Sequence, residues 1–395
     1  MYSIAGYGKM IADRVRTDAY LEAMRQVVRP GSIVLDIGCG TGIFSLLACQ
    51  LGARRVYAVE PDHAIQVARE IAAANGYADR IVFIQDFSTR IDLPEKADVI
   101  ISDLRGVLPL WQQHLPSLID ARERFLGADG VLIPQRDTLW AAVVEASDLY
   151  NRYFSGWGGA DYGLKLDAGR RIVANTWSKA RVEATQLLVE PQCWAALDYR
   201  TLNASHVRGE AVWAVARSAT AHGLAVWFDS KLIDAVGLSN APSAPELIYG
   251  NAFFPWPKPQ ALEAGDRITA TLKAQLVGED YLWCWDTTVC GKGQAIKAQL
   301  RQSTFFGAPL SPARLGTRAE NHVPTRSEAG QIDHFILSSI DGATSNGDIA
   351  RRLMIKFPGH FGDWQAGLTR VGDLAQRYGL SADANEFRRR DSRQR

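Results

Sequence analysis

The sequence has little of what marks a metal protein, a secreted scaffold or a membrane protein. Its five cysteines, Cys39, Cys49, Cys193, Cys284 and Cys290, are scattered. No pair is spaced Cys-x-x-Cys and no Cys/His cluster is present, so no metal site is expected. An odd, dispersed set also does not make a disulfide framework. The N-terminus lacks a basic stretch followed by an apolar one, and no apolar run reaches the roughly 18 residues of a membrane span. The expectation is a soluble, cytoplasmic chain with no membrane partner. Neither sign of charge is in excess: the formal net charge is +1, which argues against an extended nucleic-acid footprint. At 395 residues core size is no limit, and roughly two or three domains are expected. The eleven tryptophans are many; they are expected as core or groove walls, with sugar or base stacking as the alternative.

What is there is organised around Ile33-Val34-Leu35-Asp36-Ile37-Gly38-Cys39-Gly40-Thr41-Gly42. An apolar run ends in a loop with three glycines, and Ile43-Phe44-Ser45-Leu46-Leu47-Ala48 reads as the apolar start of a helix. A buried strand, a glycine turn and a helix make the nucleotide-binding βα unit. Glycine lets the backbone approach a ligand where a Cβ would clash. A second buried strand, Val56-Tyr57-Ala58-Val59, leads to Glu60, about twenty residues past the glycines, the spacing at which a carboxylate reaches ribose hydroxyls. Asp36 stands just before the loop, where an acid would repel a pyrophosphate. An acid there suits a ligand with a cationic amine and favours S-adenosylmethionine over NAD. A structural turn or another nucleotide is the alternative.

Around this unit the chain alternates strands (33–37, 56–60, 81–85, 97–102 and about 130–133) with helices (43–51, 62–75 and 111–126). The alternation predicts a parallel sheet with helices on both faces, its ligand beyond the carboxyl ends of the strands. That gathers the glycine loop, Glu60, Asp86-Phe87-Ser88 and Ser102-Asp103 at one crevice. Residues 1–30 show helical spacing at Met10, Val15, Tyr20 and Met24, read as a packing helix or a lid over the crevice. After Gly130-Val131-Leu132-Ile133-Pro134 strand patterns dominate: Thr138–Glu145, Glu183–Leu188, Glu210–Arg217, Leu224–Phe228, Arg267–Leu276 and Ala295–Gln302. This predicts a β-barrel or sandwich. Residues 156–180 read as an excursion, and Pro255, Pro257 and Pro259 as an exposed or rigid turn.

These segments resemble the protein arginine methyltransferase family over about residues 4–305. The likeness rests on Met10-x-x-Asp13-x-x-Arg16-Thr17-x-x-Tyr20, on Val34 to Gly42, and on Gly52-Ala53 with Val56–Glu60. It extends through Leu93-Pro94-x-x-x-Asp98-Val99-Ile100-Ile101-Ser102 and Arg122-x-x-x-Leu126-x-x-Asp129-Gly130-x-x-x-Pro134. The resemblance implies lid helices at 1–30, a Rossmann-like domain at 31–136 that binds S-adenosylmethionine, and a β-barrel domain at 137–305. The excursion at 156–180 would be a dimerisation arm, making the protein a homodimer. Arg16 would grip the carboxylate of the methionine moiety, with a surface pair to Asp13 as the alternative. Glu60 would hold the ribose, and Asp86, Phe87 and Ser88 would border the adenine. Met10, Asp36, Gly38, Cys39, Gly40, Thr41, Gly42, Pro61 and Ser102 complete the implied cofactor set, and S-adenosylhomocysteine would be the product.

The chain also departs from the family. The resemblance implies two glutamates that clamp an arginine guanidinium; here the positions hold Asp103 and the neutral Gln112. The family's Thr-His-Trp loop corresponds to Leu247-Ile248-Tyr249, without the histidine. A buried guanidinium missing one partner is destabilised by a few kcal/mol, about what breaking one half of a buried pair costs. Arg105 adds a positive charge beside the site; it pairs with Asp103 or binds a substrate carboxylate or phosphate. Asp103, Arg105, Gln112 and Tyr249 are the expected acceptor-side residues. Asp103 is the expected base, its pKa raised by burial if it is unpaired, with Tyr7, His114 and Tyr249 as further choices; a packed or solvated histidine is the alternative for His114. The reading is a methyltransferase acting on a peptide or small natural-product intermediate rather than a protein arginine. Arginine methylation through a degenerate site and a non-catalytic scaffold are the alternatives.

Residues 306–330 read as a linker. Helical patterns follow at Ile332–Ile340, Asp348–Phe357 and Trp364–Tyr378, with Ser345 or Asn346 as an N-cap. This segment, 331–382, is expected as a winged-helix-like unit. Phe335-Ile336-Leu337-x-x-Ile340-Asp341-Gly342 is loosely similar to PqqD-like peptide-recognition domains. Arg351, Arg352 and Lys356 are too few for a DNA-binding face. The basic tail 383–395 is expected to be disordered.

Overall fold

The computed structural model describes residues 3–158 and 162–379. The chain divides into a larger unit ending at Pro309 and a smaller one beginning at Leu310.

The larger unit opens with two helices, α1 (Ile4–Ala12) and α2 (Arg14–Val27). The break between them has a local cause. Asp13 caps α2 by accepting from the Arg16 amide at 3.1 Å, while its other oxygen accepts from the Ile248 amide at 2.7 Å. There follow β1 (Ile33–Ile37), α3 (Ile43–Gln50), β2 (Arg55–Val59), α4 (Ala64–Ala74), β3 (Ile81–Ile84), β4 (Ala97–Ser102), α5 (His114–Arg124) and β5 (Leu126–Ile133). The strands form a parallel sheet in the order β3-β2-β1-β4-β5. Register positions the site: Ile37 lies opposite both Val59 and Ser102. The glycine loop, Glu60 and Asp103 therefore leave the sheet side by side at the carboxyl ends of adjacent strands, where ligands of such sheets sit.

The second half of this unit comprises β6 (Arg136–Val144), α6 (Ser147–Phe154), α7 (Asp167–Ala174), β7 (Ser178–Ala180), β8 (Gln192–Asp198), β9 (Val207–Ala214), β10 (Ala219–Ile233), β11 (Val236–Ser239), β12 (Asn251–Leu262), β13 (Arg267–Val277), β14 (Asp280–Cys290) and β15 (Ile296–Leu300). Two antiparallel sheets result: β7-β12-β10-β6-β8, with β11 on β10, and β15-β14-β13-β9. Trp194, Trp213, Phe254, Trp256, Trp283 and Trp285 are buried in this domain, so these tryptophans are core.

Two expectations are corrected here. Glu183–Leu188 is not a strand: Ala184–Gln186 is a 3-10 turn closed by reciprocal bonds between Glu183 and Gln186, which satisfy locally the groups a ladder would use. Pro255, Pro257 and Pro259 do not form a turn; they lie within β12. Only Asn251 to Phe253 of β12 pair with β7, so the prolines lie along an edge, where a missing N–H breaks no ladder bond. The excursion at 156–180 holds α7 and β7; residues 159–161 lie outside the described ones.

The smaller unit carries α8 (Pro312–Gly316), α9 (Glu328–Ser339), α10 (Asn346–Lys356) and α11 (Trp364–Tyr378). The expected linker therefore contains a helix. Ile332, Ile336, Ile349, Ala350, Leu353, Val371 and Leu374 form its core. Ser345 caps α10 by accepting from the Asp348 amide. Arg370 donates to both oxygens of Asp333, at 2.7 and 2.6 Å, tying α11 to α9. No strand occurs among its described residues, so the wing of the expected winged helix is absent from them. The tail 383–395 lies outside the described residues. No described helix is long and apolar enough to cross a membrane. No group of three or more His, Cys, Asp or Glu among the described residues could hold a metal ion.

Candidate active site

The glycine loop is shaped by contact as much as by conformation. A Cβ on Gly38 would stand 2.2 Å from Leu104 Cδ2, and one on Gly40 would stand 2.4 Å from Tyr7 Cε1. Gly40 has φ +53°, a left-handed conformation that favours glycine. Tyr7, on α1, thus lies directly against the loop. The amides of Gly38 and Cys39 donate to the Val59 carbonyl at 2.8 and 3.1 Å. Glu60 accepts from the Gly40 amide at 3.0 Å and, through its other oxygen, from the Asp62 amide at 2.9 Å. Burial holds its carboxyl above the usual range against those two bonds.

Asp36 is buried and accepts from the Ser45 hydroxyl at 2.6 Å. Burial raises its pKa to about 7, with the Ser45 bond opposing the rise. Cys39 and Thr41 are buried in the loop, and burial pushes the Cys39 thiol up. Asp86 accepts from the Phe87 amide at 2.7 Å. Phe87 is exposed, with the Arg90 guanidinium over its ring, and Ser88 is buried at the start of a 3-10 turn. Pro61 is exposed at the crevice rim.

Arg16 is only 5 % exposed, so the surface pair with Asp13 does not form. Its Nε and Nη2 both lie 2.6 Å from Asp103 Oδ2, its Nε also donates to the Tyr249 hydroxyl at 3.1 Å, and its Nη1 donates to the Met10 carbonyl at 3.3 Å. The guanidinium lies 5.0 Å from the Phe44 ring centre. Burial by itself would lower the Arg16 pKa; Asp103, Tyr249 and Tyr20 together outweigh it and hold the group above its usual range.

Asp103 is not the unpaired acid of the sequence reading. Its Oδ2 receives Arg16, and its Oδ1 accepts from Arg105 Nε at 3.1 Å; the Tyr249 hydroxyl lies 2.8 and 2.6 Å from the two oxygens. Burial would raise its pKa, but the Arg16 and Arg105 charges and these bonds lower it to about 2. An acid held so low is a poor base at neutral pH. Arg105 pairs with Asp103, as one of the two readings had it, and also with Asp137, at 3.1 Å.

His114 opens α5 rather than lying mid-helix. It is buried, with Nε2 3.2 Å from the Tyr199 hydroxyl. Burial, then the Arg105 charge, lower its pKa to about 3. Burial, then Asp103, hold the Tyr249 hydroxyl above its usual range. Gln112 is exposed, at φ +41°. Ser102 is fully buried, and its hydroxyl has no hydrogen-bond partner. Asp137, Tyr199 and Ser230 belong to this cluster but carry no sequence signal, because they are recruited from β6, from the turn after β8 and from β10.

The crevice fits an adenosyl-amino acid. It offers a glycine loop no side chain could fill, the acids Asp36 and Glu60, the Arg16 guanidinium and the unpartnered Ser102 hydroxyl. With the strand order, these features define a class I methyltransferase fold. A family described as "Ribosomal protein L11 methyltransferase (PrmA)" matches residues 15–145, and the "Arginine methyltransferase oligomerization subdomain" matches residues 135–280. The Schizosaccharomyces pombe "Protein arginine N-methyltransferase 1" is 29% identical over 276 residues, 67% of this chain and 80% of that protein. The Arabidopsis thaliana "Probable protein arginine N-methyltransferase 6" is 30% identical over 243 residues, 60% of this chain and 55% of its own length. The chain thus spans little more than half of that relative. Among solved structures, the Trypanosoma brucei PRMT1 enzyme-prozyme heterotetrameric complex with AdoHcy aligns with a TM-score of 0.69 at 25% identity, over 75% of this chain and 96% of that one. The fold of Arabidopsis thaliana protein arginine methyltransferase 10 aligns with a TM-score of 0.67 at 24% identity, over 76% and 98%. The chain is thus similar to the protein arginine methyltransferases, on the fold of a class I S-adenosylmethionine-dependent methyltransferase.

Proposed function

We propose that this protein is an S-adenosylmethionine-dependent methyltransferase that works as a homodimer. Its acceptor is a peptide or small natural-product intermediate rather than a protein arginine. The cofactor, when bound, supplies a methyl group already activated on a sulfonium. The chain's own part is positioning and exclusion of water. Gly38 to Gly42 let the ligand approach the backbone, Glu60 faces the ribose, and Arg16 faces the amino-acid carboxylate. Tyr7 and α1 cover the loop.

The relatives' names make arginine methylation the competing reading. One observation carries the argument against it. The acid at the first expected clamp position, Asp103, already faces two guanidinium groups of the protein itself, and the other expected position, Gln112, is neutral and exposed. Neither of these two positions leaves an uncompensated negative charge for a cationic acceptor. Asp103, His114 and Tyr249 are each engaged and each titrate away from neutrality, so the acceptor must arrive with a free lone pair.

The test is transfer of labelled methyl from S-adenosylmethionine into host peptide and small-molecule extracts, beside arginine peptides. Label in a small molecule or a non-arginine peptide position supports the reading. Label in arginine, increased by Gln112→Glu, would overturn it.

A further inference from the structure

The charges along the buried seam alternate. Asp137 meets Arg105, Arg105 meets Asp103, and Asp103 meets Arg16, with no side chain in the line more than 6% exposed. Arg105 is also held by the Ser230 hydroxyl, 2.6 Å from Nη1, and by the Tyr20 hydroxyl at Nη2. Its guanidinium carbon lies 5.1, 5.7 and 5.8 Å from the ring centres of Phe228, Tyr249 and Tyr20. Two carboxylates and three aromatic rings around one planar cation make the surroundings expected of a guanidinium-binding site. Here the occupant is covalently part of the chain.

We propose that Arg105 is a tethered occupant of this guanidinium site, and the residue that determines specificity by excluding a cationic acceptor. With Arg105 in place, Asp103 serves as a positioning residue: its second oxygen is left to orient Arg16 toward the cofactor's carboxylate. Asp137, together with Ser230, fixes Arg105 from the β domain and is the outer positioning residue of the line. The inference rests on the cofactor reading above and deepens it.

The experiment is calorimetric titration of the full-length protein with two probes. S-adenosylhomocysteine carries the amino-acid carboxylate; 5′-methylthioadenosine lacks it. Arg105→Ala is expected to weaken S-adenosylhomocysteine about tenfold, a loss of about one interaction of 1.4 kcal/mol, and to leave 5′-methylthioadenosine within about twofold. Millimolar ethylguanidine is expected to restore the lost affinity in this variant by refilling the site, whereas ethylamine and urea are not. Asp137→Asn, which keeps every side-chain volume, is expected to show the same selective loss in milder form. Equal loss of both probes with no guanidine rescue, or no loss at all, would overturn the proposal. Failure of the unaltered protein to bind either probe would overturn the cofactor reading itself, and the proposal with it.

Discussion

Arg105 and Asp137 stand 32 residues apart in the chain, yet their side chains meet at 3.1 Å with neither exposing any surface. The contact joins the loop after β4 to the start of β6. One half of a buried pair left alone costs roughly 3–5 kcal/mol, while replacing both halves by apolar residues is often neutral. Arg105→Met is therefore expected to lower unfolding free energy by about that amount, and Arg105→Met with Asp137→Leu to recover most of it. Urea denaturation of the single and double variants measures this.

A second expectation concerns pH and the cofactor side. Asp36 has a folded-state pKa of about 7, above its unfolded value. The folded chain keeps this proton where the unfolded chain has released it, so the contribution to stability is present at low pH and is lost as pH rises toward 7. A bound ligand amine would favour the charged acid, so affinity for S-adenosylhomocysteine should rise with pH through about 7. Asp36→Asn should flatten both dependences, as read by melting temperature and calorimetry across pH 5–9.

The acceptor side should behave oppositely. Asp103 is depressed to about 2 and His114 to about 3. Each lowered value means stability that is present above the unfolded pKa and lost as pH falls, from 6.5 down to about 3 for His114 and from 3.8 down to about 2 for Asp103. The single-turnover rate of methyl transfer is expected to show no ionisation belonging to these residues between about pH 5 and 8. A limb in that range abolished by His114→Asn would contradict the assignment.

Gly40→Ala places a methyl group against Tyr7 and strains the loop by about 1–2 kcal/mol through its left-handed backbone. Cofactor affinity should fall at least tenfold. Tyr7→Ala in the same chain should return only the part due to the collision, which separates contact from conformation.

Trp157, Tyr162 and Leu164 are 40, 82 and 60 % exposed on the excursion beyond α6. If this excursion is the dimer contact, replacing all three by serine should give a monomer by light scattering, with the melting of the smaller unit unchanged.

The parts of this molecule that were legible in the sequence are local ones. The glycine loop and the Ser345 cap each act within a few residues of their own backbone, so spacing revealed them, and Glu60 ends the strand beside that loop. The parallel sheet followed from alternation. The pairing of Asp103 with the neighbouring Arg105 was legible, but its final state was not, because Arg16 and Tyr249 reach it from distant segments and the two charges and these bonds together reverse the effect of burial. Asp137 and Ser230 carry no motif for the same reason. Glu183–Leu188 has strand composition, but its two polar side chains close a turn first. His114, expected as a base or as a packed or solvated histidine, is packed where α5 begins, with its ring beside Tyr199.

The three prolines of β12 bear on how the molecule behaves in a crowd. Pro255 is buried opposite Gly223 of β10, and Pro257 and Pro259 follow where the β10–β12 register shifts. The Pro255 and Pro257 carbonyls are already taken, by Gln302 Nε2 at 2.7 Å and the Tyr150 hydroxyl at 3.1 Å, and none of the three prolines has an N–H to donate. A stray strand from another chain would find half of its ladder unanswered. This stretch of the β domain therefore offers fibril growth no donors and, at two of its three prolines, no free carbonyl either.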